Sequence, residues 1–452
     1  ADVQNSNNDT LTSDAENYYD TETDTDHNAD SASENTGDGK IQEARSELSY
    51  CLEPEISDSD YRNYITSTND FGLSVFKALA KGTSLQKNLV YSPVSVSLAL
   101  GMAYAGAKGD TASQMSSAMN NTLTDELFHA AGNRTMLELD SRNIDPHPPK
   151  DGGEDGGEGE LSVKLSPVNA IWAQENYTVE TEFLDTLSVN YDSGIKLVDF
   201  IFSFEQARLA INEWAYRQTY ERIEELLPPD SLNSNTRVVL TNALYFKGSW
   251  ATPFLTEMTS EGFFNYFSKE AVLVPMMRQT ISTSYLARDG YQLASIPYDG
   301  EELFMTIILP DEGRFEEIRD KIDASQLEAD LKAAESNLVS FVLPRFSFSF
   351  GSVSMKEILE SRGMTDAFDE LKADFRGIST EENLYIADVL HQAFIGIDEY
   401  GTEAAAATAV IFETVSIPPP PVNFTVDRPF VFLIHDINDL VLFVGQVTDP
   451  AV

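Results

Sequence analysis

The sequence predicts an α+β fold built on large, mostly antiparallel sheets, and three observations predict it. Helical and strand-like runs intermix without a regular βαβ alternation. The last two strand-like runs, residues 430–434 and 440–444, are apolar throughout and are joined by Asp436-Ile437-Asn438-Asp439, which reads as a hairpin buried on both faces. No internal repeat of solenoid or propeller period is present.

Each element can be justified in chain order. Residues 1–39 carry 11 acidic side chains and no Lys or Arg, and so little apolar surface that ordering would not be offset. The expectation is a disordered acidic tail over residues 1–66 and a globular domain over 67–452. Residues 71–80 have helical spacing. Ser92-Pro93 opens a second helix over residues 94–105, small and apolar on most faces and therefore buried. Residues 145–160, with two Gly-Gly pairs and three prolines among carboxylates, read as a mobile acidic loop. Residues 204–227 read as one long amphipathic helix ended by Pro228-Pro229. Strand-like runs follow at residues 238–246, 303–309, 338–343 and 393–397.

Composition excludes several function classes. The 452 residues hold 30 Lys+Arg against 74 Asp+Glu, a net charge of −44. That excludes a nucleic-acid binder held by phosphate neutralisation and argues against docking on an anionic membrane. No apolar run reaches the roughly 20 residues of a spanning helix. One cysteine, Cys51, leaves no intrachain disulfide and no Cys-based zinc site. The five histidines are scattered, no EF-hand loop is present, and no G-x-S-x-G, H-E-x-x-H or P-loop pattern appears. The expectation is a protein that is not an enzyme and needs no metal or cofactor. The start at Ala1 and five N-x-[ST] sequons, at Asn8, Asn120, Asn133, Asn176 and Asn423, point to a processed, secreted, extracellular glycoprotein.

The most unusual segment is residues 399–427, EYGTEAAAATAVIFETVSIPPPPVNFTVD. One reading is an Ala-rich helix start followed by a polyproline linker. The other has period 2: Thr402, Ala404, Ala406, Thr408, Val410 and Phe412 share one face of a strand, with Glu403, Ala405, Ala407, Ala409, Ile411 and Glu413 on the other. On that reading small side chains let an exposed loop slip later between existing strands.

This segment resembles the reactive-centre loop of serpins, the serine protease inhibitors that trap their target by loop insertion. The resemblance extends over residues 67–452. It includes Asn88-Leu89-Val90-Tyr91-Ser92-Pro93-Val94-Ser95, Thr241-Asn242-Ala243-Leu244-Tyr245-Phe246-Lys247-Gly248-Ser249-Trp250, Gly363-Met364-Thr365-Asp366-Ala367-Phe368, Ala373-Asp374-Phe375, Asp427-Arg428-Pro429-Phe430 and Phe443-Val444-Gly445. Thr219-Tyr220-Glu221 departs from the family, which usually turns at a Gly after the long helix. Tyr400 replaces the usual charged residue, and the stretch from Ser416 to Pro429 is a few residues long.

The resemblance implies about nine helices, an exposed reactive-centre loop and a monomeric inhibitor. It assigns the hinge to Glu399, Gly401, Thr402, Glu403, Ala404, Ala405, Ala406, Ala407 and Thr408. Counting from Gly401 by the family's spacing puts the reactive bond at Val415–Ser416, with Thr414, Phe412 and Ile411 as other registers. No Lys or Arg lies between Arg376 and Arg428, so a trypsin-like pocket has no anchor. Val415 suits an elastase-like protease, with subtilisin-like enzymes second. Ser92, Ser95, Asn242 and His391 match the family's polar cluster that gates sheet opening, and Trp250 the aromatic where the loop first enters. Glu399 matches a hinge carboxylate paired with a base, for which Arg278 is the candidate. Tyr18 and Tyr19 stand among carboxylates as candidate sulfotyrosines; the tail either solvates the protein without a partner or, as the resemblance to some serpins implies, docks on a protease exosite. Residues 111–143 hold only Arg134 and Arg142 as bases, which predicts against heparin activation. The rival reading is a non-inhibitory serpin acting as carrier, storage protein or chaperone, a class that spoils the hinge with bulky or charged residues.

Overall fold

The structure, a computed structural model, describes residues 41–83, 87–144, 162–267, 270–381, 383–402 and 420–451. Residues 1–40, 145–161 and 403–419 lie outside them.

The chain opens with β1 (Gln42–Ala44), α1 (Asp58–Gly82), β2 (Leu89–Tyr91), α2 (Pro93–Tyr104), α3 (Gly109–Ala118) and α4 (Asp125–Ser141). It continues through β3 (Val163–Gln174), α5 (Thr181–Tyr191), β4 (Ile195–Val198), α6 (Phe200–Gln218) and β5 (Val238–Ser249). Next come β6 (Ser260–Phe264), β7 (Val272–Arg288), β8 (Tyr291–Pro297), β9 (Leu303–Pro310), α7 (Phe315–Lys321) and α8 (Ala324–Ala333). The last third holds β10 (Glu335–Pro344), β11 (Phe346–Ser354), α9 (Lys356–Ser361), β12 (Ile386–Ile397), β13 (Gly401–Thr402), β14 (Val422–Thr425), β15 (Phe430–Asp436) and β16 (Val441–Val447).

The strands form two sheets. One runs β1-β4-β3-β5-β13-β12-β11; the other runs β14-β10-β7-β8-β9-β15-β16-β2, with β6 on β7. Pairing is antiparallel except at β3–β4, β5–β12 and β10–β14. Nine α-helices pack with them among the described residues. The expected C-terminal hairpin is β15–β16, every residue of its two strands buried. Helix α2 is buried along its whole length, as its small apolar composition required.

Two boundaries differ from the sequence reading. The folded body begins well before residue 67. Residues 42–44 pair with the β4 edge, Cys51 N–H donates to Val189 O, and α1 starts at Asp58. Ser57 caps α1 by accepting from Asp60 N–H, and Asp58 and Asp60 sit in the first turn where the helix dipole favours anions. Local acidity there marked a helix start, not disorder. Helix α6 ends at Gln218, not Leu227. Tyr220 and Glu221 both take positive φ and turn the chain back. Leu227 then lies against α6, its N–H donating to Asn212 Oδ1 (2.7 Å) and its carbonyl accepting from Arg208 and Asn212. The apolar pattern through residue 227 belongs to this return strand of chain rather than to further helix.

Candidate functional site: a fork in the seven-stranded sheet

Strands β5 and β12 carry the site. At one end they pair directly and in parallel, Val238 to Asn242 against Ile386 to His391. At the other end β13 stands between them, with Gly401 opposite Ser249, Thr402 opposite Gly248, and Thr402 opposite Ile397. The sheet is therefore a fork, closed at His391 and wedged open by Gly401 and Thr402 of the hinge.

Local chemistry builds the wedge. After β12, the Asp398 carboxylate accepts from Tyr400 N–H (2.8 Å) and Gly401 N–H (3.2 Å), and Asp398 N–H donates to Gly401 O (3.0 Å). This Asx-type turn reverses the chain. Trp250 holds the turn from the β5 side. Its indole N–H donates to Asp398 O (3.0 Å) and its backbone N–H to Tyr400 O (2.8 Å). The Trp250 ring stacks on Tyr298 at 4.6 Å, and Tyr298 OH is 2.7 Å from Thr402 Oγ1. Thr402 is 1% exposed. Gly401 is required by close approach: a Cβ there would lie 2.0 Å from Gly248 O.

The Glu399 carboxylate is buried and takes two bonds from Arg345 Nη2 (2.5 and 2.6 Å) and one from Thr259 Oγ1 (2.7 Å). Burial pushes this carboxyl up, but the Arg345 and Thr259 hydrogen bonds outweigh it and hold it below the usual range. The partner expected from sequence, Arg278, is engaged elsewhere, with Met258 O, Met276 O and Ser260 Oγ. Arg345 sits in the step between β10 and β11, where the chain passes from one sheet to the other beneath the hinge. No spacing in the sequence places it beside residue 399, and none marks Tyr298.

At the closed end, Ser92, Ser95, Asn242 and His391 do come together. Ser92 N–H donates to His391 Nε2 (3.2 Å), which makes Nδ1 the protonated nitrogen facing Asn242 Oδ1 (2.5 Å). Asn242 Nδ2 donates to Leu390 O (3.1 Å) across the β5–β12 seam. Ser95 N–H donates to Ser92 Oγ (3.3 Å), and Ser95 Oγ, with one hydrogen to give, lies 3.0 Å from both Ala243 O and Asn169 Oδ1. The cluster thus ties α2 to both strands of the closed seam. Burial pushes the His391 pKa down to about 3. The unfolded chain, at about 6.5, takes up a proton first, so this group costs stability as pH falls from about 6.5 towards 3. His391→Asn is expected to remove one proton's slope, ~1.4 kcal/mol per pH unit, from urea-unfolding free energies between pH 6 and 4. An unchanged slope overturns this.

The remaining candidates separate. Asn176 and Asn423 are exposed, and Asn120 is half-buried with Oδ1 accepting from Arg362. Asn133 is a correction: it is buried, and its Nδ2 donates to Cys51 O (3.0 Å) and Val189 O (2.9 Å), so no glycan can be attached to this folded state. A sequon reports side-chain order along the chain, not exposure. Arg134 is paired with Asp58 and Glu138, and Arg142 with Asp436. Glu403, Ala404, Ala405, Ala406, Ala407 and Thr408, the Val415–Ser416 bond, Asn8, Tyr18 and Tyr19 lie outside the described residues.

Comparison with known proteins agrees with this geometry. Residues 66–450 match the family model described as serpin (serine protease inhibitor). The chain is 32% identical to the leukocyte elastase inhibitor of Homo sapiens over 394 residues, 84% of this chain and 97% of that protein. The crystal structure of the thermophilic serpin tengpin in the native state superposes with a TM-score of 0.77 at 28% identity, covering 91% of this chain and all of that one. Human thyroxine-binding globulin in complex with thyroxine superposes with a TM-score of 0.73 at 25% identity, covering 86% of this chain and 99% of that one.

Proposed function

The chain belongs to the serpin family, and we propose that it is an inhibitory member: a secreted suicide substrate for elastase-like serine proteases. One observation carries this reading. The hinge already enters the sheet as an antiparallel strand at Gly401–Thr402, in the register that residues 403 onward would continue down the fork. The sequence supplies the continuation, small side chains from Ala404 to Ala409 interrupted only by Thr408.

The reaction follows from acyl transfer. The protease serine attacks the Val415 carbonyl, the Val415–Ser416 bond breaks, and the Ser416 amine leaves with a proton. Val415 stays esterified to the enzyme. The freed strand then zips between β5 and β12 and carries the protease with it. Adding about a dozen residues forms about a dozen ladder hydrogen bonds, of order 10 kcal/mol at a net ~1 kcal/mol each. Slowing deacylation about a million-fold requires ~8 kcal/mol, so the insertion energy is sufficient. The leukocyte elastase inhibitor among the relatives supports the choice of target class.

Mixing the protein with pancreatic elastase is the test. The expected result is a complex that survives denaturing electrophoresis and a released peptide whose N-terminus is Ser416 by mass spectrometry. Cleavage without a complex, at any ratio of the two proteins, overturns the proposal.

A further inference from the structure

Cations are scarce on this chain, and the folded body shares them. Residues 1–39 account for 11 of the 44 surplus negative charges, so 33 fall on the rest of the chain. Among the described residues, four guanidiniums each serve two or three carboxylates. Arg134 pairs with Asp58 and Glu138, and Arg142 with Glu138, Glu302 and Asp436. Arg208 pairs with Glu205 and Glu225, and Arg314 with Asp289 and Glu317.

Sharing leaves like charges as neighbours. Glu138 is common to Arg134 and Arg142, so one chain of pairs runs from Asp58 at the start of α1, through α4, to Asp436 at the end of β15. With Glu302 on its flank it holds four carboxylates against two guanidiniums. At its buried end, burial, with Glu138 adding to it, pushes the Asp436 carboxyl up to about 6 in spite of Arg142. Around Arg314, Asp311 N–H donates to Gly290 O (2.8 Å), which brings the segment of Asp289 beside that of Asp311, Glu312, Glu316 and Glu317. Glu261, Glu312, Glu335 and Glu370 are exposed and take part in no ion pair among the described residues.

We infer that the native state depends on salt: cations from solution screen the surplus carboxylates, and the fold belongs to a medium of molar ionic strength. This goes beyond the inhibitory reading and does not rest on it. Folding gathers like charges that the unfolded chain disperses, so a large net charge destabilises the compact state until it is screened. Neighbouring side chains on a helix face lie about 6 Å apart. The Debye length falls from about 30 Å at about 0.01 M salt to about 3 Å at about 1 M, which cuts repulsion at that distance about sixfold. Salt also weakens the ion pairs, but carboxylates outnumber bases 74 to 30, so the relief of repulsion dominates. Among the described residues no three His, Cys, Asp or Glu side chains converge as metal ligands, so the balancing charge is a diffuse ion layer rather than a bound metal.

The test is urea unfolding of the full-length protein from about 0.02 M to about 2 M NaCl, followed by the fluorescence of Trp172, Trp214 and Trp250. No protease is involved, so the outcome leaves the inhibitory reading untouched. The midpoint urea concentration is expected to rise about twofold, most of it below about 1 M salt, where the screening is largely complete. The quadruple variant Glu261→Gln, Glu312→Gln, Glu335→Gln and Glu370→Gln removes four exposed charges without breaking an ion pair. It should have a higher midpoint than wild type at the lowest salt and the wild-type midpoint at the highest. A wild-type midpoint that does not rise overturns the inference. So does an equal rise in the variant with no gain at low salt, which is the general effect of salt on apolar burial. Sucrose at matched osmolality decides the matter on the wild-type protein alone, whether or not the variant folds well. It strengthens burial without screening charge, so it should recover only a small part of the rise, and recovery of all of it overturns the inference.

Discussion

Thr402→Arg should convert the inhibitor into a substrate. Thr402 is already enclosed between β5 and β12, with its hydroxyl 2.7 Å from Tyr298 OH beneath the Trp250–Tyr298 stack. An arginine there stays charged, since its pKa exceeds 12. Desolvating it without a carboxylate partner costs several kcal/mol. The Glu399 carboxylate is already saturated by Arg345 and Thr259. Insertion competes with deacylation, and even ~3 kcal/mol slows insertion about 150-fold. The expected result is a rise of at least ~10-fold in the number of inhibitor molecules consumed per protease trapped, with cleavage itself unimpaired. Thr402→Ser keeps the hydroxyl toward Tyr298 and should trap normally. Full complex yield from the arginine variant would overturn the desolvation argument.

The terminal hairpin and the start of α2 were legible because each is written in local pattern, as is the period-2 run of small residues, which continues outside the described residues. The cluster of Ser92, Ser95, Asn242 and His391 was legible only through the resemblance to serpins, its members lying up to 299 positions apart. A run of small residues with period 2, a Ser-Pro helix start and an apolar β-hairpin carry their meaning within ten or fifteen positions. The partners of those features were not legible. Arg345 reaches Glu399 across 54 positions, and Tyr298 reaches Thr402 across 104. Both pairings depend on how the two sheets stack, which no spacing encodes. The end of α6 was misplaced for a related reason. Helical apolar periodicity continued through Leu226 and Leu227, but those residues pack back on the helix through Asn212 and Arg208. Residues 41–57 were read as tail because their composition is polar. They are ordered by backbone pairing to β4 and by bonds to Ser188, Val189 and Asn133, contacts to which side-chain hydropathy is blind.

Cleaving the loop should raise the melting temperature by about 12 °C. Gly401 and Thr402 are already paired and add nothing further, so the gain comes from the residues that follow them. About a dozen new ladder bonds give of order 10 kcal/mol. An ordered body of roughly 400 residues has an unfolding entropy near 0.8 kcal/mol/K, and the quotient is the expected shift. The seam must open for this to happen. His391, Asn242 and Ser92 therefore have to exchange their bonds across β5 and β12 for bonds to the incoming strand, and apolar burial of Val410 and Phe412 would add to the total if they turn inward. The same experiment on Thr402→Arg should yield a much smaller rise, because the strand stalls at its second residue. A non-inhibitory serpin predicts the contrary pattern: cleavage at any point between residues 403 and 419 leaves the melting temperature where it was. Calorimetry of the intact and cleaved wild-type protein therefore separates the two readings before any protease complex is sought, and a null shift would reassign the clean small-residue hinge to sequence without mechanism.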